Sequence, residues 1–430
     1  MLARRSPIVA LSRQRYFLST FGLALAWSAF LSAAPARAET DLAAAAPWQV
    51  PPEVRATGEP SRMSDDVEDA ASSPEDDSCG SCCDLGPCYM PCRFWFRGEY
   101  LAMWGKSVHL PAMAANDLEG TNVVFGNQTV DQGLRSGARF SLGCWLTQEQ
   151  NAGFEVTYLF LGAAGKTFTQ DSSQYSILTR PYYDAETFSS SSLVLANPDE
   201  QTGSLSTKIR SELQSLEASY RHVLFQQGTE QIDGLIGYRY GRLAEGLAID
   251  GSTTIIDLSP FASGTVIATA DLFNTNNEFN GGQLGIVAKS RHCRWTLEVL
   301  GKLAMGSMHS TSTVSGSTTV TPPTGSPTVT SGGFYALGTN SGNFDRTGFA
   351  VMPEVGLNLG YDLTPRLKAT CGYNFLYLSR VVRPADQLDT NLNATQFSGG
   401  TLSGYPAPEA KFVLSDYWAQ GLTAGLECRF

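Results

Sequence analysis

From residue 93 onward, apolar and polar side chains alternate with a period of two, the repeat of an extended strand whose successive side chains point to opposite faces. In FWFRGEYLAMW, Phe94, Phe96, Tyr100, Ala102 and Trp104 share one face, and Arg97 and Glu99 share the other. Ala138, Phe140, Leu142 and Cys144 oppose Arg139 and Ser141, and Phe154, Val156, Tyr158 and Phe160 oppose Glu155 and Thr157. The same split recurs with Leu284, Ile286 and Ala288 against Gln283 and Lys289, and with Trp295, Leu297 and Val299 against Thr296 and Glu298. Further on, Val355, Leu357 and Leu359 oppose Glu354 and Asn358, and Cys371, Tyr373 and Phe375 oppose Lys368, Thr370 and Asn374.

Alternation alone also suits a soluble β-sandwich with one wet face. Three features point instead to strands that cross a membrane. Many segments run about 10–14 residues, a length that suits a tilted membrane strand better than the five or six common in soluble sheets. Long polar stretches near 105–135, 165–205, 250–275, 307–346 and 379–415 alternate with short turns near 146–152, 226–230, 290–292 and 362–366. Such a pattern joins about ten strands and sends every long connection to one side, as in outer-membrane barrels. Twelve strands is the alternative, because 165–205 contains Leu193-Val194-Leu195 and has room for a further hairpin.

The third feature is the C-terminal strand. Trp418, Leu422, Ala424, Leu426, Cys428 and Phe430 fall on one face and Thr423, Glu427 and Arg429 on the other. Leu422, Leu426, Cys428 and Phe430 resemble the signal that directs bacterial outer-membrane barrels to their insertion machinery. The expected fold is all-β: a transmembrane antiparallel up-and-down barrel over 93–430, with long external loops and short periplasmic turns.

Composition agrees. Only 17% of the 430 residues are charged and there are 42 glycines, whereas soluble domains carry about 25% charged residues. The net charge of −11 argues against a nucleic-acid partner, which requires an excess of Lys and Arg. Arg4, Arg5, Arg13 and Arg15 precede an apolar run from Phe21 to Leu31 and then Ala36-Arg37-Ala38, the layout of a secretory signal over 1–38. Segment 39–78 holds 11 acids and two bases with few large apolar residues, so it reads as a disordered acidic linker. Cys79, Cys82, Cys83, Cys88 and Cys92 follow over 79–92. Disulfides in an oxidising compartment, a metal knot, or unpaired and intermolecular thiols all fit that spacing.

Individual segments carry a family resemblance. PEVGLNLGYDLT at 353–364 followed by GYNFLYLSRVVRPADQLD at 372–389 resembles the putative beta-barrel porin-7 family of planctomycete bacteria, most specifically from Arg380 through Arg383 and Pro384 to Asp386. FRGEYLAMW, RFSLGCW, GFEVTYLFL, TNNEFNGGQLG, WTLEVLGKLAMG and YWAQGLTAGLECRF extend the likeness across most of 93–430. The resemblance implies an outer-membrane barrel. The Ser/Thr/Gly/Pro-rich tract from His309 to Gly333 reads as a variable external loop.

Arg97, Glu99, Arg139, Glu155, Glu298, Lys302, Glu354, Lys368, Glu427 and Arg429 fall on the face opposite the lipid and are expected to line the lumen. They either bound an aqueous path for small solutes, making the protein a porin, or pair into a network that fills a narrow barrel. In the second case the protein is a structural or surface-display barrel whose external loops meet envelope or cell-surface partners. Its other partners are outer-membrane lipid and the insertion machinery. His109, His222, His292 and His309 form no visible catalytic constellation, so neither enzyme activity nor a cofactor is expected.

Overall fold

The computed structural model describes residues 93–430. The signal, the acidic linker and the five clustered cysteines lie outside the described residues. Ten strands form the wall: β1 Phe94–Gly105, β2 Leu134–Trp145, β3 Ala152–Asp171, β4 Gln201–Gln227 and β5 Glu230–Ile255, followed by β6 Val266–His292, β7 Trp295–Thr321, β8 Gly342–Thr364, β9 Leu367–Val382 and β10 Leu414–Arg429. Each strand pairs antiparallel with its neighbours in sequence. The ring closes where β10 pairs with β1, from Trp95 opposite Arg429 to Gly105 opposite Ala419. Closure pairs the strands all the way round in the half of the wall nearest the short turns, the condition for crossing hydrocarbon with strands.

Residues 146–151, 228–229, 293–294 and 365–366 are the short turns, and the five long connections all leave from the opposite end. The hairpin latent in 165–205 exists, as Leu178–Asp184 paired with Ser189–Ala196. It joins a small loop sheet with Ala114–Ala115, Val123–Phe125 and Asn391–Leu392 rather than the wall, so the strand number is ten and not twelve.

Strand length departs from the expected 10–14 residues. β4, β6 and β7 are 27 residues long, β5 is 26 and β8 is 23. Much of each long polar stretch is therefore strand. The tract at His309–Gly333 is likewise not a loop throughout: up to Thr321 it continues β7, and Thr328–Ser331 pairs back onto it. A Ser/Thr-rich sequence serves as strand there because its outward face meets water.

The outward face shows where lipid ends. On β7, Trp295, Leu297, Val299, Leu303 and Met305 are exposed, and Ser307, His309 and Thr313 follow. Trp295 to Met305 spans about 33 Å along the strand at ~3.3 Å per residue, or about 25 Å across the bilayer at a tilt near 40°. Beyond that level the polarity of the strands reverses. On β4, Leu216 and Ala218 point out while Glu217, Ser219 and Arg221 point in; higher up, Lys208 and Arg210 are exposed while Leu205, Ile209 and Leu213 are buried. On β6, Leu284 and Ile286 face lipid, whereas Phe273 and Phe279 are buried inside under an outward row of Asn274, Asn276 and Glu278. The upper halves of β4–β8 thus follow the rule of a water-soluble barrel, and the lower halves follow that of a membrane wall.

The extended strands form a head whose interior is filled by the connections. Val108, Leu110, Met113, Leu178, Leu195, Phe334, Tyr335 and Leu392 from the loops pack against Leu205, Ile209, Leu247, Ile249 and Phe273 from the wall. At about 25 cal/mol per Å² of apolar surface removed from water, this second core is a major part of the stability.

Candidate functional site: the barrel lumen

All ten residues expected in the lumen lie on the inward faces of their strands, and the fold gathers nine of them into two ion-pair layers, with Lys368 beside the first. In the layer nearest the short turns, Arg97 on β1 donates to Glu427 on β10 at 2.5 and 3.0 Å and reaches Glu298 on β7 at 3.1 Å. Arg221 on β4 pairs with Asp233 on β5 at 2.5 Å and with Glu155 on β3 at 3.3 Å. Arg429 lies 2.9 Å from Glu427 and 3.6 Å from Asp362. The Lys368 stem lies across Gly360, where a β-carbon would fall 2.8 Å from its Cδ. A cavity of about 280 Å³ opens between these groups, with Glu149, Gln150, Gln226 and Thr229 of the short turns at its mouth.

The next layer crosses the barrel. Glu99 on β1 accepts from Arg139 on β2 at 2.6 Å, and Arg139 reaches Glu354 on β8 at 3.3 Å. The other Glu354 oxygen accepts from Arg239 on β5 at 2.6 Å, and Glu217 on β4 accepts from Lys302 on β7. Asn374 and Gln283 extend the network through Glu354 and Arg239. With Arg239 also 3.8 Å from Glu217, eight strands are tied together here by side chains that are almost fully buried. Buried charges are tolerated only with such pairing.

Above the charges the lumen is filled mainly by apolar side chains, with one buried cation among them, Arg135 on β2, which donates to the Tyr417 hydroxyl at 2.7 Å and to the Ser211 carbonyl at 2.8 Å. Leu101, Leu161, Leu213, Leu243, Phe279, Met352 and Leu376, from seven different strands, meet in one core, each with no solvent exposure. Room for them comes from inward glycines: at Gly281 a β-carbon would lie 2.6 Å from the Phe279 ring, and at Gly241 it would lie 3.1 Å from the Met352 sulfur. A conducting path would wet the side chains along it, and these are dry.

A loop anchor caps this layer. Arg380 takes a left-handed conformation (φ 57°) at a register shift between Ser379 and Val381, two residues before the end of β9, the way a bulge re-aims a chain. The chain then turns inward. Arg383 forms a two-toothed pair with Glu245 on β5 at 2.8 and 2.9 Å and donates to the Ser107 carbonyl at 2.9 Å. Asn277 on β6 clamps Val382, accepting from its N–H at 2.7 Å and donating to its carbonyl at 2.9 Å. In the head, Arg180 pairs with Asp271 at 3.1 Å and stacks 4.0 Å over the Phe334 ring. The other Asp271 oxygen accepts from the backbone N–H groups of Phe334, Tyr335 and Ala336 at 2.7–2.9 Å.

Residues 95–430 match the profile of the family described as Putative beta barrel porin-7. The chain belongs to that family. The segment that carried the resemblance, Arg380 to Asp386, contains the loop anchor of this chain. No curated protein matches the sequence. Among solved structures, the chain is similar to the outer membrane protease OmpT from Escherichia coli (12% identity, 80% of this chain and 99% of that one, TM-score 0.39). It is also similar to the P. putida toluene transporter TodX (10%, 79% and 91%, 0.22) and a Pseudomonas aeruginosa FadL homologue (7%, 79% and 90%, 0.20). At these values nothing about activity passes from those proteins to this one.

Besides Asp362 on β8, sequence reasoning missed a group of five: Glu217, Arg221, Asp233, Arg239 and Glu245. All five lie on β4 and β5, where the apolar residues change face partway: Leu205, Ile209 and Leu213 are odd-numbered, while Leu216, Ala218 and Tyr220 are even. A search for one unbroken alternation passes over such strands. His109, His222, His292 and His309 are all exposed, with His309 hydrogen-bonded to Thr347 at 3.0 Å. Leu422, Leu426, Cys428 and Phe430 all face outward on β10.

Proposed function

We propose that the protein is a closed outer-membrane barrel that mounts a folded head on the external side, and that it is not an open diffusion pore for small solutes. The dry layer around Leu213, Phe279 and Met352 carries this reading, because it stands across the lumen between the charged layers and the packed head. The family membership and the apolar band support placement in the outer membrane, with lipid around the wall and the insertion machinery reading the β10 terminus. Exposed histidines and a lumen of paired charges support a non-catalytic role. Envelope or cell-surface partners would meet the head and its loops.

Reconstitution of the full protein into planar bilayers tests the reading. The expected record is flat, with no discrete conductance steps; stable stepwise currents from the unmodified protein would overturn it. A gated channel is the second reading, favoured by the cavity that opens between the short turns. It predicts steps that appear only on a change of voltage or solute.

A further inference from the structure

We propose that the head carries a binding site for a compact, uncharged, apolar small molecule, in a pocket between strand Ser189–Ala196 and the far ends of β5 and β6. The pocket has a volume of about 360 Å³, within the ~300–1,000 Å³ range of small-molecule sites. Leu195 and Ile255, both buried, form its inner wall, and Leu258, Phe261 and Ile267 stand on the side nearer solvent. The Phe261 N–H donates to the Leu258 carbonyl at 3.0 Å, which holds a tight turn and stands the ring, 42% exposed, at the pocket edge.

The lining decides the ligand class. No charged side chain contributes to it, and its three polar side chains are already committed to protein partners. Gln201 Nε2 donates to the Val194 carbonyl at 2.8 Å and Thr253 Oγ1 to the Leu195 carbonyl at 3.2 Å. Thr269 Oγ1 accepts from Arg180 at 3.2 Å and donates to the Gly251 carbonyl at 3.5 Å. An apolar ligand leaves all of these bonds intact, and no charged group is present to hold an ion.

The occupant comes from the surrounding medium rather than the bilayer. Ile255 lies about 13 residues beyond Arg242, the first outward charge on β5 above the lipid band, which is about 43 Å along the strand. Acyl chains of the membrane do not reach that height. This site is independent of whether the lumen conducts.

The test uses the full chain in detergent and 3-trifluoromethyl-3-phenyldiazirine, an uncharged photoreactive probe, with labelled peptides mapped by mass spectrometry. Labelling of peptides covering 193–195 and 255–269 should saturate and be competed by trifluoromethylbenzene, while labelling of the lipid face rises linearly with probe. Val194→Trp, which fills the pocket, and Leu258→Arg, which charges its rim, should each lower head labelling at least tenfold. Unchanged lipid-face labelling certifies a folded barrel in each variant, and a variant that loses it is set aside in favour of the other. Head labelling that is absent, fails to saturate, or survives in every folded variant overturns the proposal.

Discussion

Arg383 and Glu245 meet in a two-toothed ion pair at 2.8 and 2.9 Å, joining the β9–β10 connection to the inside of β5. Both side chains are at least 95% buried. The same guanidinium also donates to the backbone of Lys106 and Ser107, so one side chain ties three parts of the chain together.

Arg383→Ala removes one partner and leaves Glu245 charged and buried, a change that costs about 3–5 kcal/mol. The heat-modifiable gel mobility of the protein should shift to the unfolded form at a clearly lower temperature. A variant with unaltered midpoint would show that the pair contributes nothing to holding the plug.

Glu99 and Arg139 offer a cleaner comparison, since they sit on adjacent strands 2.6 Å apart in the crossing network. Arg139→Met alone should destabilise by about 3–5 kcal/mol because Glu99 and Glu354 lose their shared cation, whereas pairing it with Glu99→Leu should recover part of that loss. Equilibrium unfolding in denaturant, read by tryptophan fluorescence, measures both variants.

The fold class was legible because the lower wall obeys one rule: apolar out, polar in, from Phe94 to Trp104 and again from Leu422 to Phe430. Three of the four short turns were legible for the same reason, while the one expected at 290–292 lies at 293–294, because strand pairing continues to His292 opposite Trp295. The head was not. Above Glu212 the rule inverts, and the apolar residues of β4 such as Ile209 turn inward to meet loop residues distant in sequence. No local pattern identifies Leu110, Leu195 and Phe334 as neighbours, because the contacts that unite them are made only once the ring has closed. The pairing of Arg383 with Glu245, 138 residues apart, was hidden for the same reason.

The inversion predicts opposite responses to the same substitution at two outward positions of the wall. Leu357→Arg, on the lipid face of β8, should cost about 2–4 kcal/mol near the bilayer midplane. Thr313→Arg, outward on β7 above the band, should stay within about 0.5 kcal/mol of the unmodified protein. Folding midpoints in lipid vesicles compare them directly.

Tyr335 gives the head an alkaline limit. Burial in the β7–β8 connection, beside the Arg180–Asp271 pair, pushes its phenol up to about 12 from the usual 10. The folded head therefore holds the neutral form while the unfolded chain ionises near pH 10. The associated stability is complete below pH 10 and is lost as the pH rises to about 12. Spectrophotometric titration at the phenolate band should show a late-ionising fraction, and Tyr335→Phe should lower its amplitude by one phenol.

The change of polarity along single strands leaves the molecule without a seam. A protease has no hinge to cut between outer part and inner part, since every backbone that enters one continues from the other. Recombination cannot exchange the outer part as a module either, because grafting it means splicing β4 through β8 at matching heights. Variation in this lineage is therefore expected to concentrate in the tips of the connections, while gain or loss of size proceeds by whole hairpins.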